Sequence, residues 1–369
     1  MKQYRVGIVG ATGMVGQRFI SLLENHPWFR ITALAASARS AGKAYYEAVG
    51  DRWAFDWPIP ESVKNLPVMD ASQVKQVAAL VDFVFCAVDM KKDEIRALEE
   101  AYAKAEIPVV SNNSACRGIP DVPMIVPEIN AAHAAVIATQ KKRLGTQRGF
   151  IAVKPNCSIQ SYVPALTPLM DFVPEKISVC TYQAISGAGK TFKTWPEMVD
   201  NVIPYIGGED EKSENEPLKL WGDLKETADG PVIENAKLPV ISAQCLRVPA
   251  SDGHMAAVSV TFKDKPSMEE ILSRWQSFET IPQKLNLPSA PTPFLQYFED
   301  PARPQTRLDR DFEHGMGISI GRLRPDSLFD YKFVCLSHNT VRGAAGGGIL
   351  TAELLCAQGY IQPKELSLI

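Results

Sequence analysis

The sequence predicts an α/β protein of two units: a doubly wound parallel sheet over residues 1–154, and an α+β unit with a mixed, largely antiparallel sheet over residues 155–342. Three observations carry that reading. Up to residue 154, short apolar runs alternate with helical stretches, the grammar of a parallel sheet covered on both faces. Beyond it, strands such as His254 to Phe262 alternate apolar and polar positions, as half-buried strands do. A glycine-rich helix start, Gly343 to Leu355, then follows, and we expect residues 343–369 to pack back on the first unit.

Bulk properties agree with two cores, since 369 residues with 46% hydrophobic content are enough to bury both. A net charge of -3 and a pI near 6.0 give no broad basic field, which argues against nucleic acid or an anionic membrane surface as principal partner. Seven scattered cysteines without a Cys-x-x-Cys pair suggest neither a disulfide framework nor a metal site, and point to a reducing compartment. No apolar run reaches membrane-spanning length, and Met1 to Arg5 leads straight into a strand without a signal-peptide core, so a soluble cytoplasmic protein is expected.

The first strand, Arg5 to Val9, meets the turn Gly10-Ala11-Thr12-Gly13-Met14-Val15-Gly16 and then a helix carrying Phe19, Ile20, Leu22 and Leu23. Gly10 allows the tight turn, Gly13 lets backbone amides approach a pyrophosphate, and Gly16 lets the helix pack on the strand. Glycine triplets alone are a weak signal; this placement makes a Rossmann-like dinucleotide site the better reading than a flexible turn. The second strand, Arg30 to Ala36, ends in Ser37-Ala38-Arg39-Ser40-Ala41-Gly42-Lys43, where no acid waits for a ribose hydroxyl. An arginine with hydroxyl neighbours suits a 2′-phosphate, so NADP is expected over NAD. Trp53 to Pro60 reads as a surface excursion without an assigned role.

Further strands are expected over 82–88, 108–112 and 149–153, with a helix from Glu94 to Ala105. Arg117, in the polar loop after the 108–112 strand, could clamp a phosphate or carboxylate at the sheet's carboxyl edge, although an exposed arginine is more often a solvated charge. The centre of the chain is Val153-Lys154-Pro155-Asn156-Cys157-Ser158, where a strand hands over to a stretch, Ser158 to Met170, read as helical. A helix start favours thiolate over thiol, so a lowered pKa is expected and Cys157 is the candidate nucleophile; an inert packing cysteine is the alternative. Pro164 and Pro168 are awkward for that helix and require a kink or an earlier end.

In the second unit, strands are expected over 177–183, 254–262, 317–322 and 330–336, with a helix from Met268 to Phe278. Gln183-Ala184-Ile185-Ser186-Gly187-Ala188-Gly189 is a small-residue loop that admits a flat ring. Arg247 and His254 flank a short loop that could hold a carboxylate near an acid–base group, against the commoner reading of a structural histidine. Glu216 and Lys219 share a helix face at i and i+3, which without more would be an ordinary surface pair in the acidic run from Glu209 to Glu216.

In this order, the motifs Gly-Ala-Thr-Gly-x-Val-Gly, Ala-Ser-Ala-Arg-Ser-Ala-Gly-Lys, Ser-Asn-x-Ser-x-x-Arg, Pro-Asn-Cys-Ser, Gln-Ala-x-Ser-Gly-Ala-Gly, Arg-x-x-x-x-x-Gly-His and His-Asn-Thr-x-Arg-Gly-Ala-Ala-Gly resemble the aspartate-β-semialdehyde dehydrogenases nearly end to end. Glu216-Pro-Leu-Lys219 and the stretch from Arg303 to Arg310 resemble the archaeal and fungal branch. The resemblance implies reductive dephosphorylation of aspartyl-β-phosphate to aspartate-β-semialdehyde, in biosynthesis of lysine, threonine and methionine. It implies Cys157 as nucleophile, His254 as acid–base catalyst and Gln183 as the residue orienting the acyl intermediate. Arg247 would bind the substrate carboxylate, Glu216 its ammonium, and Arg117 and Lys219 phosphate, with Asn156 in the same site. NADP would meet Gly10, Thr12, Gly13, Met14 and Val15 at the turn, Ser37, Arg39 and Ser40 at the ribose phosphate, and Ser186, Gly187 and Asn339 at the nicotinamide.

A homodimer or homotetramer built through the second unit is also implied. Asn113 and Gln160 receive no role. Rival readings are a related acyl reductase, for N-acetylglutamyl phosphate or malonyl-CoA, and a non-catalytic NADP-binding regulator.

Overall fold

Apolar runs without polar alternation must be buried on both faces, and the computed structural model, which describes residues 3–364, stacks them side by side. Strands β1 (Tyr4–Val9), β2 (Phe29–Ala36), β3 (Val68–Asp70), β4 (Phe83–Cys86), β5 (Val109–Ser111) and β6 (Ile151–Val153) form one sheet in the order β3-β2-β1-β4-β5-β6. Every pairing in it is parallel. Strand order reverses between β1 and β4, which opens a crevice at their carboxyl ends. β3 escaped the sequence reading because three residues carry no periodicity.

Helix α1 (Met14–Leu23) follows the glycine turn and buries Phe19, Ile20 and Leu23 against the sheet. Helices α2 (Lys92–Lys104) and α3 (Ile137–Leu144) cover it elsewhere, α2 opening on a Glu94 carboxylate that accepts from the Lys91 N–H and α3 closing on left-handed Gly145.

β6 leads directly into the cysteine turn, and here the structure corrects an expectation. No continuous helix spans Ser158 to Met170. A 3-10 turn covers Ser158–Gln160, a single helical turn Val163–Leu166, and a second 3-10 stretch Thr167–Phe172. Pro164 and Pro168 each sit in the first turn of a new piece, where their missing N–H breaks no ladder.

The second sheet contains β7 (Pro174–Gln183), β10 (Val240–Arg247), β11 (His254–Phe262), β12 (Leu295–Phe298), β13 (Ile318–Pro325) and β14 (Tyr331–Ser337), in the order β10-β7-β11-β14-β13-β12. Its inner pairs are antiparallel and its two outer pairs, β10 with β7 and β12 with β13, are parallel. A separate hairpin joins β8 (Asp223–Thr227) to β9 (Gly230–Glu234). Helix α4 (Glu209–Leu220) lies beside β10, and α5 (Met268–Gln276) buries Ile271 and Trp275.

After β14, a π turn (Val341–Ala345) runs into α6 (Gly346–Ala357), whose residues from Gly346 to Cys356 are all buried. Glycines make that burial possible. A Cβ on Gly348 would lie 2.9 Å from the Phe19 ring of α1, and one on Gly346 2.6 Å from the Met316 sulfur of the second unit. Glu353 accepts from His26 at 2.9 Å, which ties α6 to the chain just before β2. Residues 365–369 of the expected C-terminal segment lie outside the described residues. No described helix is long and apolar enough to cross a membrane.

Candidate active site

The turn that carries Cys157 is built by its neighbour. The Asn156 side-chain oxygen accepts from the Ser158 N–H at 2.8 Å, closing the turn locally, while its amide nitrogen donates to both Glu209 oxygens at 3.0 Å. A Cβ on Gly343 would sit 2.8 Å from the Cys157 Cβ, so only glycine lets the π turn pack against that cysteine. Cys157 opens into a cavity of about 230 Å³ bordered also by Val15, Arg117, Asn156, Ser186, Gly187, Glu209, Lys212 and Asn339. Residues of the glycine turn, the small-residue loop and the C-terminal motif therefore meet at one sulfur.

Burial pushes the Cys157 thiol up to about 11; Glu209 adds to the rise, while Lys154, Arg117 and Arg247 oppose it. This reverses the expected lowering. The helix start invoked for it is a three-residue turn, too short to bring an appreciable dipole to bear.

His254 is fully buried at the start of β11. Its Nδ1 accepts the Ala184 N–H at 3.0 Å, which fixes the neutral ring with its proton on Nε2, and Nε2 has no partner. Burial, reinforced by Arg247, pulls its pKa down to about 3, so the imidazole is neutral. A Cβ on Gly187 would lie 2.9 Å from Arg247 Nη1 and 3.0 Å from His254 Nε2. Gly187 is thus the thin wall that gives both groups access to the cavity.

Arg247 Nη1 donates to the Ala184 carbonyl at 2.7 Å, and Gln183, one residue before Ala184, donates to Glu209 at 3.2 Å. Asn339 donates to the Ser186 hydroxyl at 2.8 Å and accepts the Gly253 N–H at 2.8 Å, joining the nicotinamide-side residues of the sequence reading to the histidine.

Two expected contact residues border an adjoining cavity of about 390 Å³, which shares Ser114, Arg117 and Lys212 with the Cys157 cavity. Lys219 donates to the carbonyls of Arg117, Ile119 and Val122 at 2.6, 2.7 and 2.9 Å, so its three protons clamp a loop and none is free for phosphate. The Glu216 carboxylate accepts from Arg117 at 2.8 Å and from the Asn156 N–H at 2.6 Å, and it does not border the Cys157 cavity. The pair that does border it is Glu209 and Lys212, two helical turns earlier and 2.8 Å apart. Burial alone would raise the Glu209 carboxyl, but Lys212, Asn156 and Gln183 together hold it below its usual range. The same Glu-x-x-Lys spacing at 209–212 was visible in the sequence; nothing short of the fold ranks it above 216–219.

At the other end of the crevice, the N–H groups of Gly10 and Ala11 donate to the Ala35 carbonyl at 2.8 and 3.0 Å, which holds the glycine turn against the end of β2. Just past that end, Ser37 and Arg39 are exposed and Ser40 is buried. A Cβ on Gly13 would meet nothing nearer than the Gly10 carbonyl at 3.6 Å, so the turn, with Thr12 in it, presents an open face on which a pyrophosphate fits. Met14 borders a neighbouring cavity of about 380 Å³ with Arg18, Phe55 and Trp57, and Ser186 is shared by both cavities. The Trp53–Pro60 excursion is therefore a wall: Phe55 and Trp57 stack at 4.7 Å with the Arg18 guanidinium 4.2 Å over Phe55. Asn113 donates to buried Glu99 at 2.9 Å, away from the cavity, and Gln160 is buried with its amide nitrogen unpartnered.

Comparison with known proteins agrees with this geometry. A family model described as semialdehyde dehydrogenase, NAD binding domain, matches residues 5–137, and one described as semialdehyde dehydrogenase, dimerisation domain, matches residues 166–342. The chain is 43% identical to an aspartate-semialdehyde dehydrogenase of Aspergillus fumigatus, over 97% of this chain and 98% of that one. It is 44% identical to one of Archaeoglobus fulgidus, over 97% and 100%. Among solved structures, aspartate semialdehyde dehydrogenase with NADP from Candida albicans superposes with a TM-score of 0.87 at 38% identity, covering 98% of this chain and 100% of that one.

Proposed function

The chain belongs to the aspartate-semialdehyde dehydrogenase family, and from that premise we propose that its NADP-dependent interconversion of L-aspartyl-β-phosphate and L-aspartate-β-semialdehyde runs through a thioester on Cys157. One observation carries the assignment: the Cys157 cavity is bordered at once by Val15 of the glycine turn and by Gly187, behind which His254 and Arg247 converge.

In the biosynthetic direction the Cys157 thiolate attacks the acyl carbon, the carbon–sulfur bond forms, and phosphate leaves with the electrons of the carbon–oxygen bond. Bound NADPH would supply the hydride that a thioester accepts and a carboxylate does not. The His254 Nε2–H would share its proton with the oxygen that becomes negative, and would keep it when the carbon–sulfur bond breaks and aldehyde departs. The sequence reading has His254 take up a proton as the aldehyde leaves; with Nδ1 occupied by the Ala184 N–H, the neutral imidazole serves here as a donor to that oxygen instead. Arg247 would take the α-carboxylate, Glu209 the ammonium, and Arg117 with Lys212 the phosphate; Gln183 orients the acyl group from its bond to Glu209. For the cofactor, the open glycine turn would hold the pyrophosphate, Arg39 with Ser37 and Ser40 the 2′-phosphate, and Ser186, Gly187 and Asn339 the nicotinamide side.

Residues 1–154 with the last helix would form the cofactor unit and 155–342 the catalytic and dimerisation unit, in a cytoplasmic protein. Self-association would use the outer face of β7, β10 and β11, where Tyr182 is 37% and Val240 62% exposed, and sedimentation tests it. The activity itself is tested by measuring NADPH formation from aspartate semialdehyde, NADP and phosphate with each omitted in turn. No acylated Cys157 in a single turnover would exclude the thioester route, and full rate without phosphate would exclude release of the acyl group by phosphate.

A further inference from the structure

Lysine is almost never buried without a partner, yet the chain leaves β6 through Lys154 with only 2% of that residue exposed. An ammonium has three protons to donate, and Lys154 Nζ has one acceptor, the Pro155 carbonyl at 3.0 Å. Other cations around the cavity are accounted for. Arg342 lies against Glu128, Arg117 against Glu216, and Arg247 against the Ala184 carbonyl. Among the described residues no carboxylate forms an ion pair with Lys154.

What lies beside it is the nucleophile. A Cβ on Gly343 would sit 2.8 Å from the Cys157 Cβ, and a Cβ on Gly347 would sit 2.9 Å from the Lys154 Cε. Those glycines are four residues apart where the π turn enters α6, about 5–6 Å along one face. The lysine stem and the sulfur-bearing carbon therefore lie side by side against the same helix, each admitted by a missing side chain.

We propose that Lys154 is a positioning residue for the nucleophile: its amine takes up a proton as the Cys157 thiol gives one up, so that the sulfur ionises beside a fixed positive charge. The inference rests on the reading of Cys157 as nucleophile. The exchange balances, thiol plus amine becoming thiolate plus ammonium, with no change in net charge. A low-dielectric site accepts an adjacent pair of opposite charges far more readily than a lone anion.

The charged groups that face the two do not all act one way, and on each side the other member of the pair leads those that favour its charged form. Burial pushes the Lys154 ammonium down to about 7; Cys157 is the leading group that raises it again, Glu216 raises it further, and Arg117 and Arg342 lower it. On the sulfur, Lys154 leads the groups that favour the thiolate, ahead of Arg117 and Arg247, with Glu209 against them. With no helix of useful length after Cys157, these side chains are what remains to favour ionisation.

The test is the rate of Cys157 alkylation by iodoacetamide against pH in the full-length protein, with modified peptides identified by mass. Lys154→Gln keeps a donor for the Pro155 carbonyl and removes the charge. We expect its alkylation midpoint to move up by about one pH unit and the rate at neutral pH to fall about tenfold, with Lys154→Arg recovering part of the loss. Melting and NADP binding show whether each variant is folded; should Lys154→Gln not fold, Lys154→Met takes its place. A folded, charge-free variant with an unmoved midpoint would overturn the proposal even if turnover fell, because turnover also reads packing. That outcome leaves the thioester untouched, whereas turnover retained in Cys157→Ser would remove the thioester without altering the alkylation result.

Discussion

The chain leaves two strands of the same parallel sheet toward two anionic groups, and it builds the two crossings differently. After β1, Gly10 at φ +94° turns the chain into the ten-residue helix α1, so backbone N–H groups and a helix dipole can meet a pyrophosphate. After β6, the chain makes a three-residue turn interrupted soon after by prolines, and a thiolate there depends on Lys154, Arg117 and Arg247 set against Glu209. The difference is one of switchability. Backbone dipoles do not titrate in the working range of an enzyme, whereas a lysine pulled down to about 7 does.

The strongest way to break the comparison is Cys157→Ser. A serine hydroxyl does not ionise there and its ester is a poor hydride acceptor, so turnover should fall at least a thousandfold, roughly the scale of losing a catalytic nucleophile. NADP affinity, set at the other crossing, should stay within about twofold in a fluorescence titration.

His254→Gln should reduce kcat about a hundredfold with KM for the aldehyde nearly unchanged, a typical scale for an acid–base group. It also bears on acid stability. Native His254 stays neutral down to about 3, while the unfolded chain protonates it below about 6.5. The unfolded state therefore binds more protons in that window, and stability declines by roughly 1.4 kcal/mol per pH unit as pH falls through it. Denaturation at pH 5 and 7 should show a smaller difference for the glutamine variant.

The glycine crossing is probed by a contrast. A Cβ at residue 16 would stand 2.2 Å from the Gly10 carbonyl, whereas one at residue 13 would meet nothing within 3.5 Å of protein. Gly16→Ala should cost about 1–3 kcal/mol in urea unfolding. Gly13→Ala should leave stability nearly unchanged and weaken NADP binding alone. The smallest expected effect is Arg39→Asp, which should raise KM for NADP about tenfold more than KM for NAD, the size of one charge-assisted hydrogen bond. Equal effects would remove the 2′-phosphate assignment.

The same contrast explains what the sequence could and could not reveal. The glycine turn was legible because its geometry is local: three glycines, a strand before and an amphipathic helix after. Both sheets followed from apolar patterning, apart from short β3 and the outer strands β10 and β12. Cys157 stood out by type as a candidate nucleophile, but its electrostatics were not legible, because the groups around it arrive from Arg117, Glu209, Arg247 and the glycines of the π turn and α6, far apart in the chain. The choice between Glu216–Lys219 and Glu209–Lys212 shows the limit sharply. Both pairs have the same spacing on one helix, and only the packing of α4 against the Asn156 turn decides which faces the sulfur.

α6 has a mechanical consequence. It is enclosed along its length, with Gly348 pressed on Phe19 from one unit and Gly346 on Met316 from the other, so it acts as a rivet through both halves of the molecule. A jaw-like swing of the halves would have to shear that rivet. The strip from Gly187 to Lys190 is held by no such rivet: it faces solvent, with Gly187 bordering the Cys157 cavity and Lys190 the neighbouring one.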